Sequence, residues 1–332
     1  MRKNLASMSI DLFLLCLFAV VVYVVTLSGS SSLLVIPESV FQVNTIFLSI
    51  LIEAFPFVLI GVLIAGFIQI FITEEQLRRF IPKNKYAAIF MSCIVGSLFP
   101  ACECGIVPIV RRLLAKGVPI YAGVGFLLTG PLINPIVIFS TYMAFGNDMQ
   151  IALLRMGIGF LAALIISLLI GFLYQSNQLK AGVEKVNSCQ HHHEREGFGR
   201  KIGKTLLHSV DEFFDMGKYL IIGALLASCV QVYVSTDILV GIGEGPFLSV
   251  VVMMGLAYLL SLCSEADAFI ASSFSGVFPK GAILSFLIYG PMVDLKNTLM
   301  MLSVFKMKFV VILVSIITLT VFVTITVVQS FL

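Results

Sequence analysis

Long apolar stretches dominate the chain, and short polar gaps divide them into nine segments: Ile10–Leu27, Val43–Ile72, Ala87–Leu114, Pro119–Phe145, Ile151–Tyr174, Phe213–Val234, Phe247–Phe278, Ala282–Phe305 and Phe309–Leu332. A helix needs about 20 mostly apolar residues to cross the hydrocarbon core of a bilayer, so the pattern predicts an all-α integral membrane protein. Two segments are interrupted by polar residues. F-P-A-C-E-C-G, Phe99 to Gly105, divides the third, and L-C-S-E-A-D, Leu262 to Asp267, divides the seventh. The pieces left on either side are too short to cross alone, which predicts two re-entrant hairpins, each made of two half-helices joined at a polar turn. The first apolar segment follows Arg2 and Lys3 as in a signal peptide. Its apolar run is long and no small-x-small site is obvious before Ser28–Ser32, so an uncleaved anchor helix is expected.

Lysine and arginine favour cytoplasmic loops, and their positions test the hairpins. Arg78, Arg79, Lys83 and Lys85 fall in one loop, and Arg111, Arg112 and Lys116 follow the first interrupted segment. A hairpin returns both groups to the same inner side, whereas a full crossing separates them. Loop 175–208 carries Lys180, Lys185, Arg195, Arg200, Lys201 and Lys204 and is placed inside, and Lys306 and Lys308 join it there if the second interrupted segment enters from outside. Lys280 alone is left on the outer side. The expected architecture is seven full transmembrane helices plus two re-entrant hairpins, with the N-terminus cytoplasmic and the C-terminus outside; eight or nine full spans are the alternative. It divides into an anchor helix and outer loop (1–42), a first membrane repeat (43–174), a cytoplasmic His-containing linker (175–208) and a second, inverted repeat (209–332). Each repeat makes three full crossings, an odd number, so the second is upside down relative to the first.

Matching residues support the duplication. At a constant offset of 162 positions, Gly61, Ala65, Gln69 and Leu77 meet Gly223, Ala227, Gln231 and Leu239, and Glu53 meets Asp215. Lys116-Gly117 resembles Lys280-Gly281, and Gly130-Pro131 with Asn134 resembles Gly290-Pro291 with Asp294. Inverted repeats with discontinuous helices recur in secondary transporters, with the site near the midplane.

Composition agrees with the pattern. Hydrophobic residues make up 59% and charged residues 12% of the 332-residue chain, where a soluble domain is near half apolar and about a quarter charged. A net charge of +3 spread among loops excludes a concentrated nucleic-acid footprint. The expected surroundings are a lipid bilayer, with a small-molecule or ion substrate. The seven cysteines are scattered, unlike a secreted disulfide framework; Cys16, Cys93 and Cys229 read as small packing residues. Nothing in the sequence calls for a cofactor, and no Walker A pattern is present.

The candidate substrate-binding residues lie at the interruptions. Cys102, Glu103, Cys104 and Gly105 put two thiols and a carboxylate at the first tip, a donor set suited to a soft cation or thiophilic metalloid. A charge at membrane depth is expensive and usually functional; the competing reading is a tight packing turn with inert thiols. Cys263, Glu265 and Asp267 occupy the second tip. Pro100, Pro108, Gly130, Pro131, Gly290 and Pro291 are expected helix breaks, because proline removes a helix hydrogen bond. Asn134, Asp294 and Lys296 follow the Gly-Pro pairs, where Asp294 and Lys296 can form either a functional pair or a structural one. Glu53, beside a possible opening at Pro56, and Asp215, with Lys218 one turn away, are coupling candidates. Cys189 and His191, His192 and His193 form a possible cytoplasmic metal tract, with a hydrophilic linker as the plainer reading.

F-P-A-C-E-C-G-I-V-P, then R-R-L-L-A-K-G, then G-P-L-I-N-P resembles a predicted permease family that includes trivalent organoarsenical efflux permeases and uncharacterised two-component permeases. The resemblance covers about Ile52 to Phe305. It implies a multi-pass permease of the bacterial cytoplasmic membrane, with a possible partner membrane subunit. Cys102 and Cys104 match the family's motif cysteines and Pro108 the proline that follows. Glu103 stands where serine is common, which makes the tip anionic, puts an arsenical substrate in doubt and favours a cationic or proton-coupled one. The expected function is secondary transport, export favoured, of a small thiophilic metal or metalloid species through a midplane site, and no enzymatic activity. The alternatives are an intramembrane thiol oxidoreductase using Cys102 and Cys104, a non-transporting subunit or sensor, and a subunit of a two-component transporter for a non-metal substrate.

Overall fold

A computed structural model describes residues 38–82, 84–100, 102–174, 176, 178–180, 198–233 and 245–330. The anchor segment Ile10–Leu27, Cys189 and the His191–His193 tract lie outside the described residues, which are otherwise helical apart from one isolated bridge. In chain order the helices are α1 (Glu38–Phe71), α2 (Glu74–Phe80), α3 (Lys85–Leu98), α4 (Glu103–Ala115), α5 (Ile120–Ile133), α6 (Pro135–Ala144) and α7 (Met149–Leu173). After these come α8 (Phe198–Tyr233), α9 (Pro246–Leu260), α10 (Ser264–Ser273), α11 (Lys280–Met292), α12 (Leu295–Val304) and α13 (Met307–Gln329). Five stretches are long and apolar enough to cross a membrane: Glu38–Gln69, Ile120–Ala144, Met149–Leu173, Ser209–Tyr233 and Met307–Gln329. The chain is an all-α, multi-pass membrane protein.

Local chemistry sets the ends of these helices. Thr73 and Gln76 form a reciprocal capping box that starts α2, satisfying two otherwise orphaned N–H groups. Asn84 and Asp148 cap α3 and α7 through their side chains. Gly117 takes φ +91° where the chain turns from α4 toward α5, a conformation that glycine adopts without steric cost. The structure differs from the sequence reading at three places. Helix α8 begins at Phe198, so the end of the expected 175–208 linker is helical. Helix α1 runs unbroken through Pro56, and α4 through Pro108; each proline removes one ladder bond while packing holds the flanking turns.

Close approaches fix the direction of each helix. Helix α3 runs parallel to α5: Ser92 donates to the carbonyl of Ala122, and a Cβ on Gly96 would meet Thr129 Oγ1. Helix α4 runs antiparallel to α5, with Gly123 beside Leu114 and Gly130 beside Ile106. Helices α3 and α4 are therefore antiparallel to each other, two arms on one neighbour. In the second half, Ser285 of α11 donates to Val250 O of α9 at 3.3 Å, and Gly290 lies beside Ala257, so these two are parallel. Helix α10 packs on α11 through the short 274–279 connection, which makes α9 and α10 a second antiparallel pair.

The halves are joined at several levels. Helix α1 packs along α8, where Ser209 donates to Val62 O at 3.3 Å and the rings of Phe55 and Phe213 meet edge-on at 4.8 Å. Glu212 of α8 is buried between Arg111 and Arg112 of α4; Arg112 Nε donates to Glu212 Oε2 at 2.9 Å, and Arg111 lies 3.2 Å from Oε1. The segment after α7 pairs with the end of α12 through Lys180 N to Val304 O and Lys306 N to Gln178 O, both 3.0 Å.

Candidate functional site

Four helix breaks converge where the halves meet. Between α3 and α4 the chain turns through Phe99 and Pro100, and Cys102 is the N-cap of α4 with no side-chain cap bond. Between α9 and α10, Cys263 is likewise the N-cap of α10 with no cap bond. Between α5 and α6, Asn134 caps α6 by accepting from Val137 N at 2.9 Å. Between α11 and α12, Asp294 caps α12 by accepting from Asn297 N at 2.5 Å. In the last two the break falls after the expected Gly-Pro pair and not at it: α5 runs through Gly130 and Pro131 to Ile133, and α11 through Gly290 and Pro291 to Met292. Pro119 and Pro279, the N-caps of α5 and α11, stand 160 positions apart, the same separation as Gly130 and Gly290. Lys116 closes α4 whereas Lys280 opens α11, so those two lysines occupy different places in the fold.

The first tip is held by close packing. A Cβ on Gly61 of α1 would sit 2.2 Å from the carbonyl oxygen of Gly105, and one on Gly105 would sit 2.8 Å from Phe57 O. Only glycine at both positions lets the two backbones touch, the small-residue contact typical of membrane helices. Cys102 and Cys104 share a side-chain hydrogen bond. Glu103, the first residue of α4, accepts from Ser264 Oγ of the second tip at 2.7 Å. That bond links the tips directly.

The second tip is held by charge. Ser261 caps α9 in the left-handed region, φ 47° and ψ 43°, where a non-glycine residue stores strain. Lys296 Nζ donates to Ser261 O at 3.3 Å, its backbone N–H donates to Ser261 Oγ at 3.3 Å, and Nζ lies 3.6 Å from Asp294 Oδ2. Arg155 of α7 donates through Nη2 to Ser264 O at 3.2 Å and through Nη1 to Thr141 Oγ1 at 2.6 Å. Asp267 stands one turn into α10; its Oδ2 has no hydrogen-bond partner and lies 2.7 Å from where a Cβ on Gly290 would be. Glu103, Asp267, Asp294 and Arg155 are each 1% exposed and Lys296 4%, so all five charges are sealed from both faces.

The expected site residues therefore separate into three groups. Glu103, Cys104, Gly105, Asn134, Asp267, Asp294 and Lys296 are buried at the convergence, with Cys102, Cys263 and Glu265 partly buried beside them. Glu53 of α1 reaches the rim of the second tip, hydrogen-bonded to Cys263. Asp215 is apart, with its side chain 69% exposed and 3.9 Å from Lys218. No group of three His, Cys, Asp or Glu side chains gathers at metal-binding spacing among the described residues. Arg155, Ser264 and Glu212 went unnoticed in the sequence. Arg155 carried a readable signal, since a lone arginine inside an apolar run needs a partner; Ser264 did not.

Residues 39–330 match the family described as "Predicted permease" (ArsP_1). The chain is 52% identical over 279 residues to the UPF0718 protein YcgR of Bacillus subtilis, covering 84% of this chain and 94% of that protein. It is 45% identical over 276 residues to a putative two-component membrane permease complex subunit of Streptococcus mutans, covering 83% and 91%. No solved structure matches the chain.

Proposed function

The chain belongs to the predicted permease family, and on that premise we propose that it is a secondary permease whose solute meets both halves at a site between two re-entrant tips. Helices of 14 and 13 residues (α3, α4) and of 15 and 10 (α9, α10) reach about 15–22 Å at 1.5 Å per residue, short of the roughly 30 Å hydrocarbon core. As re-entrant pairs they bring their turns to the midplane from opposite sides. The remaining helices make seven crossings with the anchor segment, arranged as an inverted repeat, with the N-terminus in the cytoplasm and the C-terminus outside the cell membrane.

The observation that carries this reading is the Ser264–Glu103 bond of 2.7 Å, which joins the two tips inside a sealed cluster of charges. Irregular backbone at membrane depth is tolerated where protein buries it or where it lines a cavity, and transporter sites are built from such breaks. Thiols at the N-cap of each tip, with Cys104 beside the first, favour a small thiophilic metal or metalloid species as substrate, and export is the direction proposed for it. The Streptococcus mutans relative is named as a complex subunit, and by that likeness a partner membrane subunit belongs to the assembly.

The test is uptake into proteoliposomes of zinc, copper, arsenite and methylated arsenite. Wild type is compared with Cys102→Ser/Cys104→Ser and with the same pair plus Cys263→Ser. Saturable flux of one solute, lost in the variants, is expected. Flux that survives the triple change overturns the thiophilic substrate and leaves the permease.

A further inference from the structure

The charges at the convergence do not balance. Asp267 is faced by Arg155 from α7, Glu103 from α4, and Asp294 and Lys296 from the α11–α12 break. Three of these five buried groups are carboxylates and two are cations, so the fully ionised cluster carries one excess negative charge. Glu265, on Asp267's own helix, faces Arg155, and Glu53 faces the tip from α1 through Cys263; both deepen the deficit. Helix dipoles do not make it up. A helix N-terminus offers about half a positive charge and a C-terminus about half a negative one, and every break at this site brings one of each.

An uncompensated charge in this setting is expensive. Glu103 accepts from Ser264 at 2.7 Å, and Asp294 accepts from Asn297 N through Oδ1 while its Oδ2, also without a hydrogen bond, has the Lys296 ammonium 3.6 Å away; Asp267 has no such close cation among the described residues. Asp267 Oδ2 is buried without a hydrogen-bond partner, and the lack of a side chain at Gly290 lets that oxygen pack against the backbone of α11, 2.7 Å from where a Cβ would stand. Pro291 lacks the N–H that would pair with the Leu287 carbonyl one turn back, which adds an acceptor on the same stretch of α11. Chelation of a divalent ion at Asp267 itself fits poorly, because no three His, Cys, Asp or Glu side chains stand at metal-binding spacing among the described residues.

We propose that the cluster takes up one monovalent cation, a proton or an alkali ion, at the Asp267 carboxylate, and that this ion is the coupling ion of the permease. The coupling role rests on the permease reading above; the binding does not. Taking up the ion balances the five buried groups without moving the two cations that hold the second tip, and its release into one face or the other is what a solute gradient exchanges against.

Two measurements on the purified full chain in lipid nanodiscs separate the two ions. The first is the melting temperature in sodium or potassium chloride against choline chloride at equal ionic strength. The second is the infrared carboxyl-stretch region, with carbon-13 aspartate labelling to separate Asp267 and Asp294 from Glu103. A saturable rise in melting temperature that Asp267→Asn abolishes identifies an alkali ion. An aspartate-labelled protonated-carboxyl band that Asp267→Asn removes identifies a proton. If Asp267→Asn does not fold, the label on wild type and the Asp267→Glu variant, whose band loses the aspartate shift, give the same answer. No alkali response and no aspartate-derived band overturns the proposal, as does either signal persisting unchanged in Asp267→Asn. Both readouts are independent of flux, so a chain that binds the ion yet moves no solute sinks the permease reading and not this one.

Discussion

The two tips have the same construction and opposite means of support. Each ends a short helix, turns, and starts the next with an uncapped cysteine at the N-cap. The first is fixed by backbone contact between Gly105 and Gly61. The second is strained at Ser261 and pinned by Lys296 and Arg155. The breaks behind them differ in the same sense, since Asn134 is neutral where Asp294 and Lys296 are charged. Two similar helix–turn–helix units thus keep their turns and N-caps while more of the buried charge sits at the second tip and the break behind it. Packing suits a part that stays put, because steric contact changes little with protonation or ion binding. Charge suits a part that responds, because gain or loss of one ion changes what holds it.

The largest effect is expected where charge is removed. Lys296→Met leaves Asp294 and the Ser261 carbonyl without their cation and should cost about 3–5 kcal/mol, as for a broken buried pair. Thermal unfolding of the purified chain in detergent measures it. Adding Asp294→Asn should restore more than half of the loss, because the orphaned charge then disappears too. If Lys296→Met costs no more than a packing change at the first tip, the contrast between the tips fails.

The bond between the tips comes next. Ser264→Ala removes the donor to Glu103 and should cost about 1.5–3 kcal/mol, the range for a hydrogen bond to a charged group. Glu103→Gln in that background should recover part of it, since a neutral amide left unpaired is cheaper to bury than a carboxylate. Recovery of nothing would mean that Glu103 is held by groups other than Ser264.

Packing at the first tip should give a smaller effect. Gly61→Ala forces a methyl to 2.2 Å from a backbone oxygen, and overpacking of that kind costs about 1–3 kcal/mol. Gly217 of α8 has nothing within 4 Å of an added Cβ, so Gly217→Ala should stabilise, by up to about 1 kcal/mol from helix propensity. Equal losses at both sites would show that the loss at position 61 does not come from the contact with Gly105.

Much of this arrangement was legible in the order of residues. Apolar segment lengths and the polar interruptions at Phe99–Gly105 and Leu262–Asp267 located the helix breaks, because breaks in an apolar run are local features. The Gly-Pro pairs were found for the same reason, although the chain parts at Asn134 and Asp294, where side-chain caps start new helices. What could not be read were pairings across more than a hundred positions. Glu212 meets Arg111 and Arg112, and Arg155 meets Ser264, only after the halves are packed. The Lys116 and Lys280 match misled because glycine and lysine are common beside helix ends, and the fold uses one to close a helix and the other to open one.

Glu53 and Asp215 stand 162 positions apart, in register in the proposed repeat, and in different surroundings, which makes them the finest test of how alike the two halves are. Glu53 touches the second tip through Cys263. Asp215 lies at the surface, its nearest ion-pair partner Lys218 at 3.9 Å, and exposed pairs at that distance contribute little. Asp215→Asn should therefore change stability by no more than about 0.5 kcal/mol and leave flux of any transported solute unchanged. Glu53→Gln should instead alter the rate without altering the fold, because it removes a charge from the rim of the site. Thermal unfolding and proteoliposome flux, run side by side on the two variants, decide it. A flux defect in Asp215→Asn as large as that in Glu53→Gln would return Asp215 to the pathway, and the two acids would then act as a pair despite their different neighbours.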